Sequence, residues 1–159
     1  MGMRVGIGYD IHRVAKGRPL VLGGVRFEGF PGLEGHSDAD VLLHAIGDAL
    51  LGAVALGDLG EHFPVGEARW KDASSLEILG LIRAKLEGHG ARVVNVDATL
   101  VAEAPRLAPV RDQMRSLIAR ALHVGVERVS VKATTNERLD AVGSAEGMAA
   151  WAVALVETA

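Results

Sequence analysis

The sequence contains no cysteine among its 159 residues. Disulfide bonds, thiolate metal ligands and a cysteine nucleophile are therefore excluded. The chain also lacks an uninterrupted apolar run of the roughly 18 to 20 residues that cross a bilayer, and its amino terminus lacks the organisation of a signal peptide. We expect a cytoplasmic protein that does not associate with membranes.

An excess of basic charge is absent as well. The net charge is −3 and the isoelectric point is about 6.1, so the protein has no general positive field for nucleic acid. Hydrophobic residues make up 49% of the chain, which is enough for one sizeable core, and we expect a single domain over residues 1–159. This content is slightly high for a small monomer and indicates buried contacts between subunits.

The most informative stretch is a strand pattern over residues 3–14. Alternate side chains of a strand share a face, so Asp10 and His12 point the same way. Gly6 and Gly8 lie on that face and have no side chains to fill the space in front of it. The opposite face carries an apolar set that suits a core: Val5, Ile7, Tyr9 and Ile11.

The remaining pattern predicts an α+β fold. Three helices can cover one face of a mixed four- to five-stranded sheet, and identical partners would then have to cover the other face, with the sheets packed inward. The predicted elements are a hairpin at 20–22 and 25–27, helices at 37–56, 73–87 and from 109 onward, and strands at 92–102, 129–135 and 145–157; loops are expected at 57–70 and 136–144.

A third metal-type ligand, His44, lies on the first predicted helix. A lone His on an apolar helix is usually a core residue, but two His and one Asp with an open fourth position form the ligand set of a catalytic zinc site. A ligating His needs a partner for its other nitrogen, and Asp40 or Asp48, one turn to either side, is a candidate. We therefore predict a zinc site at Asp10, His12 and His44.

Three further motifs suit phosphates or hydroxyls. His36-Ser37 precedes the predicted start of a helix, where free N–H groups favour an anion, although Ser37 alone also suits an N-cap. Asp58 is placed to accept hydrogen bonds from substrate hydroxyls, but its spacing alone favours a turn. The motif Lys132–Glu137 combines threonine hydroxyls, which suit phosphate oxygens, with the Glu137 carboxylate, which suits Mg²⁺.

Taken together, these motifs resemble the 2-C-methyl-D-erythritol 2,4-cyclodiphosphate synthase family. The resemblance covers residues 3–156. The motifs that carry it are Gly8-Tyr9-Asp10-Ile11-His12, the run from His36-Ser37 to His44, Gly57-Asp58-Leu59-Gly60 with Phe63-Pro64, Asn95-Val96-Asp97, Ala104-Pro105 and Lys132–Glu137.

The resemblance implies a cyclising, CMP-releasing phosphorus–oxygen lyase of the non-mevalonate isoprenoid pathway. The substrate would be 4-diphosphocytidyl-2-C-methyl-D-erythritol 2-phosphate. Its 2-phosphate would attack its own β-phosphate and form 2-C-methyl-D-erythritol 2,4-cyclodiphosphate. The resemblance also implies a homotrimer with active sites between adjacent subunits.

The same resemblance assigns roles to individual residues. Asp10, His12 and His44 would hold Zn²⁺, Glu137 would hold Mg²⁺ or Mn²⁺ with the substrate phosphates, and His36 and Thr135 would stabilise the transition state. The substrate contacts would be Ser37, Asp58, Leu59 and Gly60; Phe63 and Glu67, which bound a mobile flap over residues 63–67; and, in the cytidine pocket, Ala102, Pro105, Arg106, Leu107, Ala108, Lys132, Ala133 and Thr134.

One departure from the family pattern follows Glu137. Where the family usually has a Phe and an Arg, this chain has Ala141 and Ser144, and we include both in the predicted substrate site. A guanidinium that contacts phosphate is therefore missing.

Two alternatives stay open: a metal-dependent phosphohydrolase on the same scaffold, and a non-catalytic trimer that binds an isoprenoid diphosphate in an apolar axial cavity.

Overall fold

The computed structural model describes all 159 residues, Met1–Ala159. Its strands are β1 (Gly2–Ala15), β2 (Leu20–Leu22), β3 (Val25–Phe27), β4 (Gly32–Leu33), β5 (Ala91–Val101), β6 (Val129–Thr134) and β7 (Gly147–Thr158). Its helices are α1 (Val41–Ala53), α2 (Leu59–His62), α3 (Ser75–Gly88), α4 (Arg111–Leu122) and α5 (Asp140–Gly143), with short 3-10 turns at Ala68–Trp70 and Val126–Arg128. No helix is both long and apolar enough to span a bilayer.

Five strands form one mixed sheet in the order β4-β1-β7-β5-β6, and β2 and β3 form a separate hairpin. Strand β7 runs antiparallel to both β1 and β5, whereas β5 and β6 are parallel. The carboxyl ends of β1, β5 and β6 therefore meet at one edge of the sheet. The predicted α+β class and the mixed five-stranded sheet are confirmed.

The glycines of β1 let helix α1 lie directly on the sheet. A Cβ atom on Gly6 would come within 1.8 Å of the Ala49 carbonyl oxygen, and one on Gly8 within 1.9 Å of the Ala45 carbonyl oxygen. The space in front of these glycines is thus filled by the helix backbone. Helix α1 in turn belongs to a core of 36 buried residues, to which α3 and α4 also contribute.

The opposite face of β1 was predicted to pack a core, and that prediction is wrong for a single chain. Val5 is 67% exposed and Ile7 is 65% exposed. The neighbouring strand β7 adds Trp151 and Val153 to the same bare surface, and the Tyr9 and Trp151 rings lie 4.5 Å apart. The error arose because apolar alternation identifies a face that avoids water without saying which molecule covers it.

Helix α1 begins four residues later than predicted. Asp40, not Ser37, is its N-cap, and the Asp40 Oδ1 atom accepts a hydrogen bond from the Leu43 N–H at 3.1 Å. The same carboxylate also accepts hydrogen bonds from the N–H groups of Gly23 and Gly24 in the β2–β3 turn. Asp40 therefore joins the hairpin to the helix, a contact between distant residues that local capping patterns do not reveal.

Both segments predicted as loops contain a four-residue helix. Helix α2 lies within 57–70 and is capped by Asp58, whose Oδ1 atom accepts a hydrogen bond from the Glu61 N–H. Helix α5 lies within 136–144. Elements of one turn are too short to produce an apolar period, so the pattern could not identify them.

Candidate active site

Asp10, His12 and His44 bring three donor atoms to one point beside the carboxyl end of β1. The Asp10 Oδ2 atom lies 2.8 Å from His12 Nε2 and 3.1 Å from His44 Nδ1. The two ring nitrogens are 3.1 Å apart. The three donor atoms all lie within 4.8 Å of one another, which is the spacing of a shared metal ion.

The remaining contacts of these side chains test whether the group fits a cation. His12 Nδ1 donates to the Glu34 carbonyl oxygen at 2.6 Å, since a carbonyl can only accept. In the neutral ring this leaves a lone pair on Nε2, which faces the carboxylate and the second imidazole. Electron pairs that converge in this way are stabilised by a positive charge, so the residues fit a divalent metal with nitrogen and oxygen ligands.

The electrostatics of the cluster favour positive charge for the same reason. Burial opposes ionisation of Asp10, but hydrogen bonding and charge from the protonated forms of His12 and His44 outweigh it and lower the pKa of this carboxyl to about 2. Burial likewise disfavours the charged ring of His12, but the hydrogen bond to Asp10 prevails and raises the His12 pKa above its ordinary value.

The partner predicted for the other nitrogen of His44 is wrong. Asp40 is fully buried and its hydrogen bonds run to backbone N–H groups, while Asp48 accepts a hydrogen bond from the Leu59 N–H at 2.8 Å. His44 Nε2 instead lies 3.1 Å from the Ser75 hydroxyl and 3.2 Å from that of Ser37. Ser75 opens helix α3, 31 residues along the chain, and no local motif connects it with His44.

His36 and Ser37 lie at the mouth of the site, in a bend that precedes α1. His36 Nε2 donates to the Glu67 carbonyl oxygen at 3.1 Å, and Ser37 is buried. The Arg18 guanidinium holds this bend by donating to the carbonyl oxygens of Gly35 and Ser37 at 2.5 and 2.6 Å. Arg18 was missed in the sequence because it lies before the hairpin and belongs to none of the motifs.

A cavity of about 490 Å³ opens in front of the three donors. It brings together most residues predicted for the metal and for the phosphate and erythritol groups: Asp10, His12, His36, Ser37, His44, Asp58, Leu59, Gly60 and Phe63. The cavity is also lined by Asp48, by Val65 of the predicted flap, and by three residues that the sequence analysis missed: Gly35, Trp70 and Ile78. Glu67 does not line the cavity and contributes its carbonyl oxygen to His36 instead.

Trp70 gives the cavity an aromatic wall. Its ring packs edge-on against Phe63 with the centroids 4.8 Å apart, and the Arg69 guanidinium stacks over the Trp70 ring at 4.0 Å. A second aromatic side chain, Trp70, therefore lies three residues beyond the predicted flap. The rarity of tryptophan, with two in the chain, was the available signal for this residue.

The second group of predicted residues lies at β6, three strands away from β1 across the same sheet. Asp10 pairs with Ala150 of β7, Ala150 with Leu100 of β5, and Leu100 with Ala133 of β6. Three strand spacings separate Asp10 from Ala133, a distance of about 14 Å. Within one chain the Lys132–Glu137 segment consequently does not line the cavity that contains the metal ligands.

This second group has its own organisation. The Thr135 hydroxyl donates to a Glu137 carboxylate oxygen at 3.4 Å, and the Lys132 ammonium pairs with Asp97 at 2.5 Å. The Glu103 carboxylate, missed by the sequence analysis, accepts hydrogen bonds from the N–H groups of Asn136 and Arg138. The neighbouring predicted contacts are exposed at Arg106, Ala108, Ala133, Thr134, Ala141 and Ser144 and buried at Ala102, Pro105 and Leu107.

Comparison with known proteins finds a family model and relatives that match almost the whole chain. The sequence model of the YgbB family matches residues 3–157. A 2-C-methyl-D-erythritol 2,4-cyclodiphosphate synthase of Syntrophomonas wolfei is 57% identical over 157 residues, which are 99% of this chain and 100% of that protein. The synthase of Chlorobaculum tepidum is 56% identical with the same coverage.

A solved structure agrees with these sequence matches. The IspF protein of Plasmodium falciparum in complex with CDP superimposes with a TM-score of 0.85 at 29% identity, over 99% of this chain and 97% of that one. The shared architecture therefore extends along the full length of both chains.

Proposed function

The chain belongs to the YgbB family, and we propose that it acts, like its relatives, as a 2-C-methyl-D-erythritol 2,4-cyclodiphosphate synthase. The 2-phosphate of 4-diphosphocytidyl-2-C-methyl-D-erythritol 2-phosphate attacks the β-phosphorus. The bond from that phosphorus to the bridging oxygen breaks, and CMP leaves with the oxygen. The observation that carries the proposal is the three-donor cluster of Asp10, His12 and His44 at the base of a cavity of about 490 Å³.

We assign the metal ligands as the sequence predicted. Asp10, His12 and His44 hold Zn²⁺, and Glu137 with the substrate phosphates holds Mg²⁺ or Mn²⁺. When bound, these ions supply neutralisation of phosphate charge and alignment of the two phosphates, with no activation of water. No nucleophilic side chain is required, which agrees with the absence of cysteine.

The chain's own polar groups complete the phosphate site. His36 carries its Nε2 proton towards the Glu67 carbonyl and can transfer this hydrogen bond to a phosphate oxygen when the flap moves. Ser37 provides a hydroxyl at the cavity wall, and Thr135 donates from the other half of the site. Donors that are already in place lower the cost of bringing two anions together.

Substrate contacts divide between the two halves of the site. Asp58, Leu59 and Gly60, which line the cavity at the start of α2, contact the erythritol unit. The cytidine moiety binds in a pocket formed by Ala102–Ala108 and Lys132–Thr134, and the CDP complex of the Plasmodium falciparum relative supports a nucleotide in this family. Ala141 and Ser144 close the phosphate side.

We propose that the protein is a homotrimer whose active sites lie between subunits. The separation of about 14 Å between the two halves within one chain supports this arrangement, since a neighbouring copy can bring its β6 end to the metal ligands. The bare apolar face of β1 and β7 supports inward packing of the sheets. This packing would enclose an axial cavity lined by apolar side chains, which would suit an isoprenoid diphosphate.

The reaction is tested by incubating the purified protein with the substrate and Mg²⁺. Release of CMP together with the cyclic diphosphate is the expected result. Open-chain monophosphates would instead identify a phosphohydrolase in which water replaces the internal phosphate.

Two variants test the assignment of the metal ligands in the same assay. His44→Ala and Asp10→Ala are expected to lose zinc and CMP release while the trimer persists. Exposed His89, at the end of α3, offers a matched control as His89→Ala. Loss of CMP release with the trimer intact would argue against isoprenoid diphosphate binding as the sole role of the fold, whereas full CMP release would contradict the assigned ligands.

A further inference from the structure

We propose that Asp38 and Ser75 are positioning residues for the metal site, because together they determine which nitrogen of His44 carries the ring proton. This inference rests on the proposed function and specifies how its zinc ligand is held. Both residues lie outside the donor cluster and neither belongs to the predicted substrate contacts.

The first step is the state of the Ser75 hydroxyl. Ser75 is 1% exposed and opens helix α3. Its backbone N–H donates to Asp38 Oδ2 at 3.0 Å, and its hydroxyl donates to Asp38 Oδ1. An ionised carboxylate can only accept hydrogen bonds, so this contact uses the single hydroxyl proton of Ser75.

The second step follows at His44. Since the Ser75 proton points to Asp38, the Ser75 oxygen can only accept from His44 Nε2, which lies 3.1 Å away. The Ser37 oxygen, 3.2 Å from the same nitrogen, accepts from the Ala39 N–H with one lone pair and has a second lone pair for His44 Nε2. The proton of the neutral ring therefore resides on Nε2, and the lone pair resides on Nδ1.

The third step connects this tautomer to the metal. His44 Nδ1 is the atom that lies 3.1 Å from both Asp10 Oδ2 and His12 Nε2. The opposite tautomer would place a proton at the position of the cation. Asp38 and Ser75 thus keep the Nδ1 lone pair of His44 available before a metal ion binds. Hydrogen-bond partners of this kind usually contribute roughly 10- to 100-fold to metal affinity.

The surrounding backbone holds the two residues in register. The Asp38 N–H donates to the Ala73 carbonyl oxygen at 3.1 Å, and the Asp72 N–H donates to the His36 carbonyl oxygen at 2.9 Å. The segment that contains His36 and Ser37 is thereby paired with the segment that leads into α3. A change at Ser75 alone leaves these backbone contacts in place.

Zinc affinity of the metal-free protein gives the test, measured by competition with a chromophoric chelator in the absence of substrate. Ser75→Ala is expected to raise the zinc dissociation constant roughly 10- to 100-fold, because His44 Nε2 loses the acceptor whose own proton is held by Asp38. Ser74→Ala is the matched control, since Ser74 is the adjacent N-cap residue and its side chain makes no capping hydrogen bond. The control is expected to bind zinc as the wild type does.

Asp38→Asn provides a second variant and a spectroscopic readout. An amide N–H facing Ser75 would turn the hydroxyl proton towards His44 Nε2 and favour the Nδ1–H tautomer. Long-range nitrogen–proton NMR of the metal-free protein is expected to show His44 protonated at Nε2 in the wild type and shifted towards Nδ1–H in the variant.

Zinc binding within about twofold of wild type in both variants, or an unchanged tautomer in Asp38→Asn, overturns the proposal. An equal loss of affinity in Ser74→Ala does so as well, since it would indicate a general effect of the helix start. Because no substrate is present, failure here is distinguishable from failure of the cyclisation, which is measured by CMP release.

Discussion

At the scale of single residues, Asp40 is the clearest case of a charge held in the interior. Asp40 has no exposed surface, and burial raises its pKa to about 6. Repulsion from Asp38 raises the pKa further, whereas hydrogen bonds from three backbone N–H groups lower it. Since 3.8 is the ordinary value, the folded state holds this proton more tightly than the unfolded state between about pH 4 and pH 6. Stability from Asp40 is therefore greatest in acid and is lost as the pH rises through 6.

Asp40→Asn tests this sign, because asparagine caps a helix about as well as aspartate and does not titrate. The unfolding free energy of the wild type minus that of the variant is expected to fall, by up to about 3 kcal/mol, between pH 4 and pH 7. Urea unfolding at several pH values measures this difference. Asp112→Asn is the control, because it makes the same change at an exposed position of α4. A difference in unfolding free energy for Asp40→Asn that rises with pH would contradict the prediction.

Ser144, with Ala141, is one of the two positions at which the sequence analysis identified a departure from the family pattern. It is exposed at the end of α5, and the Arg usual at this position would add a charge-assisted hydrogen bond to phosphate. Ser144→Arg is expected to lower KM roughly tenfold, since such bonds contribute about 1.5 to 3 kcal/mol. Steady-state kinetics of CMP release measure the KM, and Ser144→Gln controls for the longer side chain. An unchanged or raised KM for Ser144→Arg counts against the prediction.

At the scale of elements, the contact between β1 and α1 positions the metal ligands. Asp10 and His12 lie on the strand and His44 on the helix, so the separation of the two elements sets the distances between the donors. Gly8 permits this separation, because a Cβ atom there would meet the Ala45 carbonyl oxygen at 1.9 Å. The main chain next to His44 has no room to move without carrying the ligand with it.

Gly8→Ala is accordingly expected to destabilise the fold by about 3 kcal/mol and to reduce the zinc content, because overpacking here displaces a helix backbone. Gly52→Ala is the matched control on the exposed side of α1, where an added Cβ meets nothing within 4 Å. That variant is expected to gain up to about 1 kcal/mol from helix propensity. Chemical unfolding and metal analysis report both effects, and a Gly8→Ala protein with wild-type stability would refute the close-contact argument.

At the scale of the whole molecule, one face of the sheet is covered by helices and the other is bare. A bare face that contains Trp151 and Val153 is costly in water, and identical copies can cover it. The bare face supports the proposed trimer without by itself giving the number of copies.

Val153→Glu should dissociate the trimer, because it would bury an unpaired charge between subunits. Leu81→Glu is the matched control, since Leu81 is 43% exposed on α3 and Val153 is 45% exposed on β7. Sedimentation velocity reports the oligomer, and CMP release should fall with it because the proposed active site is shared between subunits. A Val153→Glu protein that remains trimeric would show that the sheets do not pack inward.

The sequence by itself determined the donor set and the composition of each strand face. Asp10, His12 and His44 could be identified because strand alternation and ligand chemistry are local properties. The α+β class followed from the order of periodic segments in the same way.

Only the tertiary structure decided which partners these groups meet. Asp40 turned out to join α1 to the β2–β3 turn, Ser75 rather than Asp48 meets His44, and the apolar face of β1 is exposed while its glycine face is buried. Each of these outcomes depends on a contact between residues distant in the chain or on a surface left for another molecule. Local periodicity contains no information about either, because it reports only how a segment separates apolar from polar side chains.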